Sequence, residues 1–237
     1  MTGWISNGWR YLFGQPEPAP IAIVVQPLQD NVCDQHWMTP SPPQGLPPPP
    51  RSTDASTVRE DWSRWAEQVK GVPVGTQVLL RVQGRTDTQV TITGIEFNVL
   101  KRAPAFAGTN AYANCGAGPG PIRWLYVNLD KEPPQVSAKF DERNPELIVG
   151  NAPAWERKPI RFPYNLQVSK SETETFLISA GTDDCDCTWT GQLDWVSLDR
   201  KGSLPIDNNG APFRTTSSKL ADHTCQSLMG TGPWNCG

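Results

Sequence analysis

From residue 75 onward, apolar and polar positions alternate with period two over a series of short stretches. Val78, Leu80 and Val82 alternate with Gln77, Leu79 and Arg81 across 76–83, as they would on a half-buried strand. Val90, Ile92, Ile95, Phe97 and Val99 make a longer strand, with Gly94 a candidate bulge. Further strands are expected at 122–130, at 160–169 paired with 173–180, at 187–196 paired with 202–206, and at 212–215. Asp207-Asn208-Asn209-Gly210 is a hairpin-turn signal. One segment has a different period. Ser56-Thr57-Val58-Arg59-Glu60 has the form of a capping box, and Trp62, Trp65, Ala66 and Val69 follow at helical spacing until Gly71 and Pro73. Residues 103–121, glycine-rich and carrying Cys115, and residues 139–158 read as long loops. Short strands at regular spacing with a single helix predict a mainly β fold, an immunoglobulin-like β-sandwich with one short helix.

The N-terminal part has another texture. Residues 15–50 are crowded with proline and end in Pro47-Pro48-Pro49-Pro50. Residues 21–25 are long enough for one strand, and 38–50 should be a polyproline II spacer with a solvated backbone. Residues 1–14 read as a short helical or interfacial segment. Trp4, Ile5, Trp9, Tyr11, Leu12 and Phe13 make an aromatic belt of the kind found at a membrane surface. The expected division is therefore an interfacial segment and proline-rich arm over 1–50, then a disulfide-bonded sandwich with a C-terminal tail over 51–237. No run of 18 apolar residues is present. Any membrane anchor would precede Met1.

The formal net charge is −3, and basic residues are interleaved with acidic ones. Nucleic-acid binding needs a concentrated positive footprint to displace counterions, so that class is disfavoured. The six cysteines, Cys33, Cys115, Cys185, Cys187, Cys225 and Cys236, are even in number and widely spaced, with no paired CxxC motif. That pattern points to disulfides and an oxidising, extracytoplasmic compartment. On an extended strand Cys185 and Cys187 share a face. Each is expected to reach a different segment, with Cys33 and Cys115 the natural partners, while Cys225 and Cys236 close the tail. Six cysteines allow about 15 connectivities, and this is one of them.

Candidate sites are few. Trp62 and Trp65 share a helix face, which suits either core packing or a carbohydrate platform. Asp183, Asp184 and Asp186 form a carboxylate cluster that could hold calcium, and Asp207, Asn208 and Asn209 a second. Cys33, His36, His223 and Cys225 would make a legal zinc set if the chain ends met and the thiols were free. Glu172, Glu174 and Asp194 are the carboxylates a glycan hydrolase could draw on. No Gly-x-Ser-x-Gly elbow or phosphate-binding fingerprint is present, since Pro119 spoils 116–120 as a helix start. No cofactor is expected.

Several strings together resemble a known group. They are Val82-Gln83-Gly84-Arg85, Arg123-Trp124-Leu125, residues 158–164 (KPIRFPY), Asp184-Cys185-Asp186-Cys187-Thr188-Trp189 and residues 206–215 (IDNNGAPFRT). The chain resembles, over roughly residues 33–215, uncharacterised membrane-anchored extracytoplasmic proteins of high-GC Gram-positive bacteria that carry the DCDCxW string. The resemblance implies an envelope location and supplies no catalytic residue. The resulting expectation is an extracytoplasmic binding or interaction domain of the cell envelope, its partner an unspecified protein or envelope component. The alternatives are an extracytoplasmic glycan hydrolase or a structural module of a surface assembly.

Overall fold

The computed structural model describes residues 18–27, 35–51, 57–114, 123–141, 144–149, 158–159, 166–198, 200–228 and 233–237. The expectations for residues 1–14, Cys33, Cys115 and the 116–120 glycine run lie outside them. Two mixed sheets carry the fold. Sheet A runs in the order β1 (Ile21–Pro27), β4 (Thr76–Gly84), β12 (Thr173–Gly181), β7 (Arg123–Asn128), β8 (Gln135–Asp141) and β10 (Lys158–Pro159), with β9 (Asn144–Val149) pairing with β8. Sheet B begins with β11 (Leu166–Val168), β5 (Val90–Pro104), β13 (Cys185–Ser197) and β15 (Phe213–Thr216). It continues through β3 (Val72–Val74), β2 (His36–Thr39), β6 (Gly108–Asn114), β16 (Ala221–Leu228) and β17 (Asn235–Cys236), with β14 (Arg200–Ile206) pairing with β13. The mainly β expectation holds. Among the described residues the one α-helix is α1 (Val58–Gln68), and no helix is long and apolar enough to cross a membrane.

Period-two patterning builds the core. Val78, Leu80 and Val82 of β4 meet Phe176 and Ile178 of β12 and Leu125 and Val127 of β7. From sheet B come Val90, Ile92, Ile95 and Phe97 of β5 and the inward positions of β13, in one shared cluster. Strand β13 buries every second residue from Cys185 to Ser197. The indole of Trp189 lies between Phe97 and Phe213, with ring centroids at 5.9 and 4.6 Å. Its Nε1 donates to Thr215 Oγ1 at 2.8 Å, so this indole leaves no polar atom unpaired.

Several expectations are corrected. The strand expected over 21–25 is β1 of sheet A, but residues 38–50 are not a solvated spacer: Met38 and Thr39 belong to β2 of sheet B, and Pro49 is buried. The carbonyl of Pro47 accepts from Trp65 Nε1 at 3.3 Å and Trp234 Nε1 at 2.8 Å. The tract is held by indole donors, as extended proline segments are held in aromatic grooves. The loop expected over 103–121 contains β6, whose small inward residues Ala111 and Ala113 give no strong alternation signal. The loop expected over 139–158 contains the β8–β9 pairing. Strand β11 does not pair with β12 but with β5, so the chain changes sheet between them. The polar tail is a strand too: β16 runs parallel to β6. Thr57, at the N-cap of α1, supplies no side-chain cap.

The 207–210 turn has the expected chemistry in an unexpected place. Asn209 and Gly210 both have positive φ, 54° and 87°, as a type I′ turn requires. Yet β14 and β15 lie end to end on the same side of β13: Ile206 pairs with Gly191 and Phe213 with Trp189. The turn therefore protrudes from an interrupted strand and does not join two neighbours.

Candidate functional site

Strands β7, β8 and β12 end together at one side of sheet A. Between them opens a cleft of about 520 Å³. Its walls carry Asn128, Gln135, Ser137 and Ser179, with Tyr126 at the back and Asp130 and Asp183 beside the chain turn that leads into β13. Parallel pairing places Ser179 opposite Tyr126 and Gly181 opposite Asn128. Tyr126 stacks on Trp124 at 5.9 Å, and both rings pack with Leu177. The wall offers uncharged donors and acceptors with a rigid aromatic behind them, which suits a ligand recognised by hydrogen bonds.

The turn beside the cleft is built on Asp130. Its carboxylate accepts the Thr182 hydroxyl proton, the Asp183 N–H at 2.7 Å and the Asp184 N–H at 3.3 Å. Burial raises the Asp130 pKa, but these three hydrogen bonds and the charge of Arg102 outweigh it and hold the carboxyl below its ordinary value. The Thr182 oxygen in turn accepts the N–H of Cys185 at 3.0 Å. Arg102 crosses from β5 and donates to the Leu129 and Lys131 carbonyls, with Glu132 at 3.1 Å. The fold thus couples cleft, turn and the start of β13.

At that start stands a disulfide that corrects the sequence expectation. Cys185 is bonded to Cys187, with a Cα–Cα distance of 5.4 Å. Two residues of a straight strand advance about 6.4–6.8 Å, so the chain is drawn in here. The two side chains do share a face, as expected. Shared face plus local contraction makes them partners of each other and not of two distant loops. The second pair is as expected: Cys225 is bonded to Cys236 across a Cα–Cα distance of 4.0 Å, where β17 returns along β16.

The other candidates are dispersed. Trp62 and Trp65 are buried, 1% and 4% exposed, so they form no open carbohydrate platform. They pack with Trp37 and Trp234 in a four-tryptophan cluster with ring separations of 5.1–6.1 Å. The three aspartates diverge: Asp183 pairs with Lys219 at 3.1 Å, Asp186 with Arg214, and Asp184 offers its N–H to Asp130. The pairing with Asp186 raises the Arg214 pKa. Asp207 is used internally, accepting the Gly210 N–H at 2.8 Å. Among the described residues no group of three His, Cys, Asp or Glu side chains could hold a metal ion. The zinc set loses Cys225 to its disulfide, and His36 stacks on Tyr112 at 4.3 Å. Glu174 is bound by Arg123 at 2.8 Å on sheet A, while Asp194 accepts from Gln192 and Ser203 on sheet B, so the fold does not bring these carboxylates together.

Asp130, Thr182 and Arg102 were missed by reading the sequence, because nothing in local spacing links residues 27 to 85 positions apart. The available signal was Thr182 directly before three acidic or cysteine residues, a turn-forming composition. No protein-family model matches this chain, and no curated protein matches it.

Proposed function

We propose that this chain is an extracytoplasmic interaction domain of the cell envelope, with an immunoglobulin-like sandwich as its scaffold and the β7–β8–β12 cleft as its ligand seat. The observation that carries the reading is the cleft wall of Asn128, Gln135, Ser137 and Ser179. Four uncharged side chains able to donate or accept favour a neutral polar ligand, such as a glycan or an extended peptide, over a phosphate or a lipid tail. The Cys185–Cys187 and Cys225–Cys236 bridges are in keeping with an oxidising compartment. The Cys185–Cys187 bridge, at the end of the turn that borders the cleft, would help preorganise such a seat, lowering the ordering cost of binding.

The test is a titration of isotope-labelled protein with solubilised envelope glycans and with cell-wall peptides. Amide shifts centred on Asn128, Gln135, Ser137 and Ser179, abolished in a folded Ser137→Trp variant that fills the cleft, would support the reading. Saturable binding of either class with shifts centred elsewhere, or no binding of either class, would overturn it.

A further inference from the structure

The Cys185–Cys187 bridge closes the shortest loop a strand face allows, and the chain-entropy model rewards short loops least. Its surroundings are better explained by chemistry. The two sulfurs sit in unlike settings. Cys187 is fully buried, and the Arg102 guanidinium Nη1 lies 3.8 Å from its Sγ. Cys185 retains 6% exposure and has Thr182 Oγ1 at 3.1 Å from its Sγ. The Thr182 proton goes to Asp130, and its oxygen accepts the N–H groups of Asp184 and Cys185. A cation suits a thiolate at Cys187, whereas the neighbour of the Cys185 sulfur is an uncharged hydroxyl. Thr182, which touches the Cys185 sulfur, also lines the cleft, and Cys185 is the less buried of the two cysteines.

We propose that Cys185–Cys187 is a thiol–disulfide exchange site that accepts two electrons from a dithiol, with Cys185 the attacked sulfur and Cys187 the leaving thiolate. A thiolate of the dithiol attacks Cys185 Sγ and forms a mixed disulfide. The Cys185–Cys187 bond breaks, and its electron pair stays on Cys187 beside Arg102. The second thiol of the dithiol loses its proton to solvent and attacks its partner sulfur in the mixed disulfide. The dithiol leaves as a disulfide, and the Cys185 thiolate takes up a proton from solvent. The dithiol is oxidised by two electrons and the bridge is reduced by two. The leaving thiol departs faster the lower its pKa, which is the contribution of Arg102. This inference is independent of what the cleft binds.

The test uses the full oxidised chain under native conditions. With glutathione followed by acid quenching and peptide mapping, the mixed disulfide is expected on Cys185 and not on Cys187. With dithiothreitol, the bridge is expected to open while the near-ultraviolet circular dichroism of the fold persists. Arg102→Gln should slow opening roughly three- to fivefold, and Arg102→Lys should recover most of the rate. Glutathione found chiefly on Cys187, or a bridge that opens only once the protein unfolds, would overturn the proposal. So would a folded Arg102→Gln variant that opens at the native rate. If that variant does not fold, the choice of sulfur in the native chain decides.

Discussion

Asp130 holds three donors at once, from Thr182, Asp183 and Asp184, and so fixes the turn between β12 and β13. Removing it in Asp130→Ala leaves two backbone N–H groups and a hydroxyl to find water, at a cost of about 1–2 kcal/mol in urea unfolding at neutral pH. Because its folded pKa is depressed below 3.8, the stability it gives is present above that ordinary value. It is lost as pH falls through the folded value. The native protein should therefore lose stability more steeply than the Ala variant as pH falls from the ordinary carboxylate value of 3.8 through the lower folded value. Parallel acid limbs in the two unfolding series would contradict this account. Gly84 acts by absence at the same scale. A Cβ built there would stand 2.5 Å from the Ser169 Cα, against backbone that cannot yield cheaply. Gly84→Ala should cost about 1–3 kcal/mol in the same assay, although its position at the end of β4 looks tolerant in sequence.

Among the elements, α1 and the proline tract explain each other. The helix presents Trp62 and Trp65 to Trp37 of β2 and to Trp234 of the tail, and Leu46 packs on the group. Two of these indoles donate to one carbonyl, that of Pro47. A proline has no N–H to satisfy, so an extended tract can be fixed through its carbonyls alone. Trp234→Ala removes one of these donors and part of the aromatic packing. It should destabilise the protein by about 2–3 kcal/mol, below the value for a fully buried tryptophan because Trp234 is only partly buried. The measurement is chemical unfolding, with loss of near-ultraviolet exciton signal as the local marker. A midpoint that does not move would show that the tail merely rests on the cluster.

For the molecule as a whole, the two described bridges differ in what they can stabilise. The Cys225–Cys236 loop should contribute roughly 3 kcal/mol and the Cys185–Cys187 loop roughly 1.5 kcal/mol in the chain-entropy model. Double serine variants of each pair, compared by urea unfolding, should reproduce that order. A reversed order would mean that the bridge at the start of β13 holds the shared core and not merely a local turn. The core lies between two sheets that exchange chain repeatedly: β11 is in sheet B and the next strand, β12, in sheet A. Loss of the inward face of β13 would thus be felt in both sheets.

The sequence by itself determined what local physics governs. Alternation placed Val78, Leu80, Val82, Ile92 and Phe97 on inward faces, helical spacing set the tryptophan face of α1, and Asn209-Gly210 took the positive-φ turn that its chemistry favours. The shared face of Cys185 and Cys187 was legible because side chains on a strand repeat every two residues. Pairing was not legible. The partner of a strand depends on chain closure between distant residues, which no local pattern encodes. So β11 joined β5, the polar tail joined β6, and the turn at 207–210 became a protrusion. The candidate cleft was the least legible part. Asn128, Gln135, Ser137 and Ser179 are ordinary outward residues on three strands, and only the parallel pairing of β7 with β12 and the antiparallel pairing of β7 with β8 bring them to one wall.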